Sequence, residues 1–145
     1  MEWSWPTEVG RVLRTAGWFP GRSVDTGRWR ELFAGSLPMH EAAERFLTEF
    51  GCLFVNIKGP GVTCARTPFE LDPQLAEGEE DRFEDLGEDI GHSLFPLGEL
   101  DHGRFFLGID ETGEIYLLGD RDATFGRMPG AMENLILGVR PEDVA

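Results

Sequence analysis

Apolar residues recur along this chain in two rhythms, and the change from one to the other separates a helical front from a sheet-forming remainder. In the front part Val9, Val12, Leu13 and Ala16 return every three or four residues, which aligns them on one face of a helix with 3.6 residues per turn. Ser4 or Thr7, beside Pro6, is placed to cap its start, and Gly17 to end it. A shorter helix is expected from Asp25 or Thr26, with Trp29, Leu32 and Phe33 on a common face and a stop near Gly35. The third follows Pro38, gathers Ala42, Ala43, Phe46, Leu47 and Phe50, and has Gly51 just past its last turn.

Beyond Gly51 the period shortens to two. Leu53 to Ile57 and Val62 to Arg66, joined by Lys58-Gly59-Pro60-Gly61, read as a β-hairpin, in which Cys64 would lie opposite Val55 and not Cys52. Pro73 to Ala76 is long enough for one turn, and Glu79 to Ile90 returns to helical spacing with Phe83, Leu86 and Ile90 as its docking stripe. Leu94 to Gly98 reads as an edge strand or an extended connection, because Pro96 has no N–H to donate to a ladder. Arg104 to Ile109 and Glu114 to Leu118, around Asp110-Glu111-Thr112-Gly113, form the clearest hairpin and the expected centre of the sheet. Pro129 to Leu137 is a closing helix that ends at Gly138. The fold class is therefore α+β: an antiparallel sheet flanked by N-terminal helices, an acidic middle helix and a C-terminal helix.

Composition limits what such a fold can be. At 145 residues, with 41% apolar side chains and sixteen aromatics, the chain has material for one core, and residues 1–145 are expected to form a single domain. No apolar run is long enough to span a bilayer, and the start Met1-Glu2-Trp3-Ser4-Trp5-Pro6 lacks the basic and apolar regions of a signal peptide, so the expected location is the cytoplasm. Cys52 and Cys64 are too few for a disulfide framework and are expected to be small apolar residues kept reduced.

Charge changes the picture most. Residues 70–101 hold twelve carboxylates against the single cation Arg82, a local net charge of −11 out of −14 for the whole chain. Such a field repels nucleic acid and anionic membrane and attracts cations or a basic protein. Glu80, Asp81, Glu84, Asp85, Glu88 and Asp89, distributed around the polar side of the middle helix, are the candidate contacts for that partner; the alternative for most of them is a solvated face that aids solubility. A competing location is a groove beside the sheet anchored by Trp18, Trp29 or Phe95, although large aromatics more often belong to the core.

Catalytic chemistry finds little support. Ser93 has Gly91 before it but Phe95 where a nucleophile elbow needs its second glycine. His40, His92 and His102 match no zinc spacing and are expected at the surface or at helix caps. Lys58-Gly59-Pro60-Gly61 links two strands and does not open a helix onto a phosphate, and Asp110-Glu111-Thr112-Gly113 does not continue into a calcium loop. The expectation is no catalytic residue, no metal and no cofactor, and a metal-dependent hydrolase built on the clustered acids has no ligand spacing behind it.

Four stretches go further than class. Ala16-Gly17-Trp18-Phe19-Pro20-Gly21-Arg22, the segment Ala43 to Leu53 with Phe46-Leu47 and Glu49-Phe50-Gly51, Phe95-Pro96-Leu97-Gly98-Glu99, and Ile109-Asp110-Glu111-Thr112-Gly113-Glu114-Ile115-Tyr116 occur in the order found in the SUKH superfamily (SMI1/KNR4-related). Together they span almost the whole chain, which most closely resembles the SUKH-3 branch of bacterial immunity proteins. Cys52 departs from a pattern that favours a second glycine after Gly51. The resemblance implies a non-enzymatic protein of a polymorphic toxin system that binds and blocks a cognate toxin domain, often a nuclease or deaminase. Other relatives imply an alternative, a regulatory or scaffolding module for a host protein. Oligomeric state stays open.

Overall fold

Each helix forms where an apolar stripe has a core to meet. The computed structural model describes residues 3–144. Its front carries α1 (Thr7–Ala16), α2 (Gly27–Leu32) and α3 (Glu41–Phe50). Val9, Val12 and Leu13 of α1 and Ala43, Phe46, Leu47 and Phe50 of α3 are buried, as their spacing requires. Gly17 ends α1 in the left-handed conformation. The expected cap of the first helix differs, while α2 opens after Thr26 as expected. Pro6 sits at the N-cap of α1 without a side-chain bond, and Asp25 accepts from the Gly27 N–H at 2.9 Å ahead of α2. Because α2 is only six residues long, Phe33 falls at its C-cap; Trp29 and Phe33 are buried while Leu32 faces outward, so the three do not share a face.

The turn after α3 relocates a glycine requirement. Gly51 is extended (φ −60°, ψ 151°), and it is Cys52 that takes the left-handed conformation at φ 66°. Gly51 is needed for close approach instead: a Cβ there would lie 2.5 Å from the Leu47 carbonyl oxygen and 2.7 Å from the Trp29 ring. Cys52 thus occupies the one position of this turn where a glycine would relieve backbone strain.

The strands are β1 (Phe54–Val55), β2 (Gly59–Pro60), β3 (Ala65–Arg66), β4 (Phe69–Glu70), β5 (Phe95–Leu100), β6 (Phe105–Ile109), β7 (Glu114–Leu118), β8 (Ala123–Arg127) and β9 (Glu142–Asp143). Seven form one antiparallel sheet in the order β1-β4-β5-β6-β7-β8-β9, and β2 pairs with β3 in a separate ribbon. The β6–β7 hairpin is central as expected, with Leu107 opposite Leu117 and Ile109 opposite Ile115.

The hairpin expected over 53–66 does not form in that register. Phe54–Val55 pairs with Phe69–Glu70, and the ladder continues through Cys52 N–H to the Leu71 carbonyl at 2.7 Å and Leu71 N–H to the Leu53 carbonyl at 2.8 Å. This pairing buries Phe69 and Leu71 beside Leu53 and Val55, whereas Val62, Cys64 and Ala65 offer little to bury and stay exposed. The displaced segment has other work: Val62, Thr63 and Cys64 donate their N–H groups to the carbonyls of Leu137 and Gly138, satisfying the end of α5 (Gly130–Leu137). Both cysteines are consequently free and exposed, not small core residues.

The strand with Pro96 is third in the sheet and not at its edge. A register shift between Pro96 and Gly98 accommodates the missing donor, so the proline sits at a bulge. Gly98 is required there, since a Cβ would overlap the Glu70 carbonyl oxygen. Strands β4, β8 and β9 have no counterpart in the hydrophobic pattern. Trp18, Trp29 and Phe95 all belong to one continuous core.

Candidate partner-binding site

The acidic block folds into two short elements. Pro73–Ala76 forms a 3₁₀ turn, capped by Asp72, whose carboxylate accepts from the Gln74 N–H. Glu80–Ile90 forms α4, which ends at left-handed Gly91. Phe83 and Leu86 are buried and Ile90 is half-buried, so the helix docks on the predicted stripe and turns its carboxylates outward.

Hydrogen bonding sorts those carboxylates by role. Asp72 also accepts from the Trp29 indole N–H at 3.2 Å, Glu79 pairs with Arg82 at 2.9 Å, and Glu80 accepts from the Gly78 N–H at the helix start. These serve the fold, and Glu80 is only partly exposed. Asp81, Glu84, Asp85, Glu88 and Asp89 are exposed and have no hydrogen-bond or ion-pair partner among the described residues. Arg82, the one cation of the helix, is held by Glu79 and lies over the Phe106 ring, 5.9 Å from its centroid. Glu70 and Glu99 lie apart from the helix, facing each other across β4 and β5; burial, then the Glu70 charge, raises the pKa of Glu99.

The order of charges along α4 works against the helix at one end. Glu80 and Asp81 occupy the first turn, where the positive end of the helix dipole favours them, but the last turn holds Glu88 and Asp89 and no base. Acids at a helix C-terminus are each unfavourable by roughly 0.3–1 kcal/mol. Two acids thus stand against the negative end of the helix dipole where α4 ends and the segment 91–94 begins.

A groove of about 390 Å³ opens at that place between α4, the 36–38 loop and the 91–94 segment. Glu84, Gly87, Glu88 and Gly91 line it from the helix at a spacing that puts them on one face. Gly87 lets the chain return so closely that a Cβ there would lie 2.6 Å from the His92 carbonyl oxygen. Across the groove Glu111 is fixed, accepting from the Ser93 N–H at 2.9 Å and bonded to His92 Nδ1 at 2.8 Å. Those two donors hold its pKa at about 2, and Glu111 in turn raises that of His92.

Sequence spacing did not reveal this His92–Glu111 pair, because its members are brought together by the β6–β7 turn. Asp110, 1% exposed, organises the turn: one carboxylate oxygen accepts from Thr112 N–H and Oγ1 and from Glu114 N–H, and the other accepts from the buried Tyr116 hydroxyl at 2.9 Å. His92, Asp110 and Glu111 lie close enough for one ion. Their hydrogen bonds to one another and to the turn account for the geometry without one. His40 is a capping histidine as expected, its Nδ1 accepting from the Ala43 N–H at 3.1 Å.

The pair makes a pH prediction. His92 has a raised folded pKa, so its contribution is complete below the ordinary value of 6.5 and is lost as pH rises through the folded value. Glu111 has a lowered one, so its contribution is present above 4.5 and is lost as pH falls toward about 2. The stability difference between the native chain and His92→Gln is expected to be largest between those limits and to shrink as pH rises through the raised pKa of His92. Thermal unfolding of both proteins from pH 4 to 9, with the His92 ring titrated by NMR, checks it; a difference that grows with pH contradicts it.

The model of the SUKH-3 immunity protein family matches residues 5–138. The chain belongs to the SUKH-3 immunity protein family. No curated protein and no solved structure matches the chain. In this SUKH-3 protein the matched span covers α1 through α5, so the acidic helix, the groove and the Asp110 turn all lie inside the family domain. The family is one of non-enzymatic inhibitors with toxin partners. Among the described residues no helix is long and apolar enough to cross a membrane.

Proposed function

We propose that this SUKH-3 protein neutralises a cognate toxin domain with a cationic, nucleic-acid-binding cleft, a nuclease or a deaminase, by direct stoichiometric binding in the cytoplasm. The outer side of α4 supplies the contact, through Glu80, Asp81, Glu84, Asp85, Glu88 and Asp89. One observation carries the reading beyond the family: Glu84, Asp85, Glu88 and Asp89 are exposed with no hydrogen-bond or ion-pair partner among the described residues, and the last two oppose the helix dipole. A surface held at some cost to local stability fits selection for binding. Dense carboxylates compete for the sites that hold phosphates and steer a basic partner into encounter.

The test is co-expression with the toxin domain encoded beside the gene. The expected result is rescued growth and recovery of a 1:1 complex that weakens as salt is raised. Failure of a folded protein to protect against an active toxin overturns the reading and returns weight to a regulatory module.

A further inference from the structure

Resting on the reading above, we infer that the groove between α4 and the 91–94 segment is a receptor for an arginine side chain of the basic partner. The surrounding face supplies steering, whereas the groove supplies a shaped site.

Three independent features converge on a guanidinium. The floor and walls are apolar, formed by Leu37, Phe83 and Leu94, which suits the methylene stem and flat face of arginine better than the strongly hydrated, compact ammonium of lysine. The rim carries Glu84 and Glu88 on one side and Glu111 on the other, so carboxylate oxygens stand on both sides of a planar fork. The backbone adds to them: α4 ends here at Gly91, and the negative end of its dipole meets no base in the last turn.

The groove is also prepared for a charged guest. Glu111 is pinned by two donors from the 92–93 segment and needs no reordering, which lowers the entropic cost of binding. Gly87 lets the 92–94 backbone pack directly against the helix, which sets the inner edge of the groove between Glu84 and Glu88. Arg82, the one cation of the helix, is engaged by Glu79 and Phe106 and does not line the groove; His92 does line it, but its ring is committed to Glu111, so the unpaired rim charge is that of Glu84 and Glu88. Charge complementarity selects a cation, and the apolar walls with a divided carboxylate rim select arginine among cations.

The experiment uses the whole protein, labelled with ¹⁵N and titrated with N-acetyl-arginine-methylamide and, separately, its lysine counterpart. The expected result is saturable shifts at Gly87, Gly91, His92, Ser93 and Leu94, with lysine at least about threefold weaker. Glu84→Gln with Glu88→Gln lowers the arginine affinity at least about threefold, while Glu142→Gln, an exposed carboxylate of β9 outside the groove lining, leaves it unchanged. Equal, unsaturable responses to both probes, or shifts confined to the outer face, overturn the inference. The two readings fail separately. Loss of the groove response with toxin protection still dependent on the α4 charges removes only the arginine site. Protection that survives charge reversal of α4 removes the proposed contact face even if the groove still takes the probe.

Discussion

Replacing Glu84, Asp85 and Glu88 together by lysine is expected to slow association with the toxin domain by roughly ten- to a thousandfold at low ionic strength, and to flatten the dependence of that rate on salt. Each exchange moves the charge by two, so the chain goes from −14 to −8, with the whole change placed on one helix. Exposed charges are screened over about 8 Å at physiological ionic strength, so the native and variant rates should converge as salt is raised. Stability should not follow the same course. None of the three carboxylates has an internal partner among the described residues, and a lysine at 88 complements the helix dipole that Glu88 opposes. The variant should therefore unfold at the same denaturant concentration or a slightly higher one while binding far more slowly. Stopped-flow association at several salt concentrations, with urea unfolding alongside, measures both. An unchanged association rate with an unchanged salt slope removes α4 as the steering surface.

Phe83→Ala is expected to cost about 3–5 kcal/mol of folding stability, the range for truncating a buried aromatic. Phe83 is fully buried and holds the acidic helix to the sheet. Its ring meets Phe106 edge-on at 6.3 Å between centroids and lies against Gly108, where a Cβ would come within 3.1 Å of the ring. The small residue in β6 is what admits the ring, so the cavity left by alanine has rigid sheet backbone on one side and cannot readily collapse. A loss of that size is comparable to the total stability of many domains. Its functional consequence should be distinct from that of the lysine variant: the carboxylates remain, but the helix that presents them loosens, so dissociation quickens more than association slows. Urea unfolding together with dissociation kinetics checks it. A loss below about 1 kcal/mol would show that α4 is held elsewhere.

How much of this was legible beforehand follows from the range of the forces involved. The stripes of α1, α3 and α4 and the central hairpin declared themselves through local periodicity, since a residue's neighbours three or four positions away, or two in a strand, decide which face it shows. The carboxylate face was readable for the same reason: a helix with one apolar stripe has to turn everything else outward. The Phe83, Leu86 and Ile90 spacing alone places it.

Where the sequence misled, a non-local partner had outcompeted a local one. Val62 to Arg66 alternates well enough to pair with its neighbour, yet Phe69 and Leu71 bury more beside Leu53 and Val55, and the freed segment completes the end of α5. Pro96 argued for an edge until a bulge absorbed its missing N–H within the sheet. Gly51 looked like the left-handed residue of its turn, but the close approach of Trp29 claimed it and passed the strained conformation to Cys52.

The α+β class, the acidic face and, through the order of its motifs, the SUKH-3 resemblance that the family match bore out were all set by the order of residues along the chain. Which carboxylates are free depends on folding, because partners such as Trp29 for Asp72 lie far away along the chain. Folding alone brought His92 and Glu111 together, and it alone opened a groove at the end of α4. Periodicity is a property of neighbours in sequence and can be read from them, whereas a hydrogen bond or a concave site depends on which distant segments the core draws together.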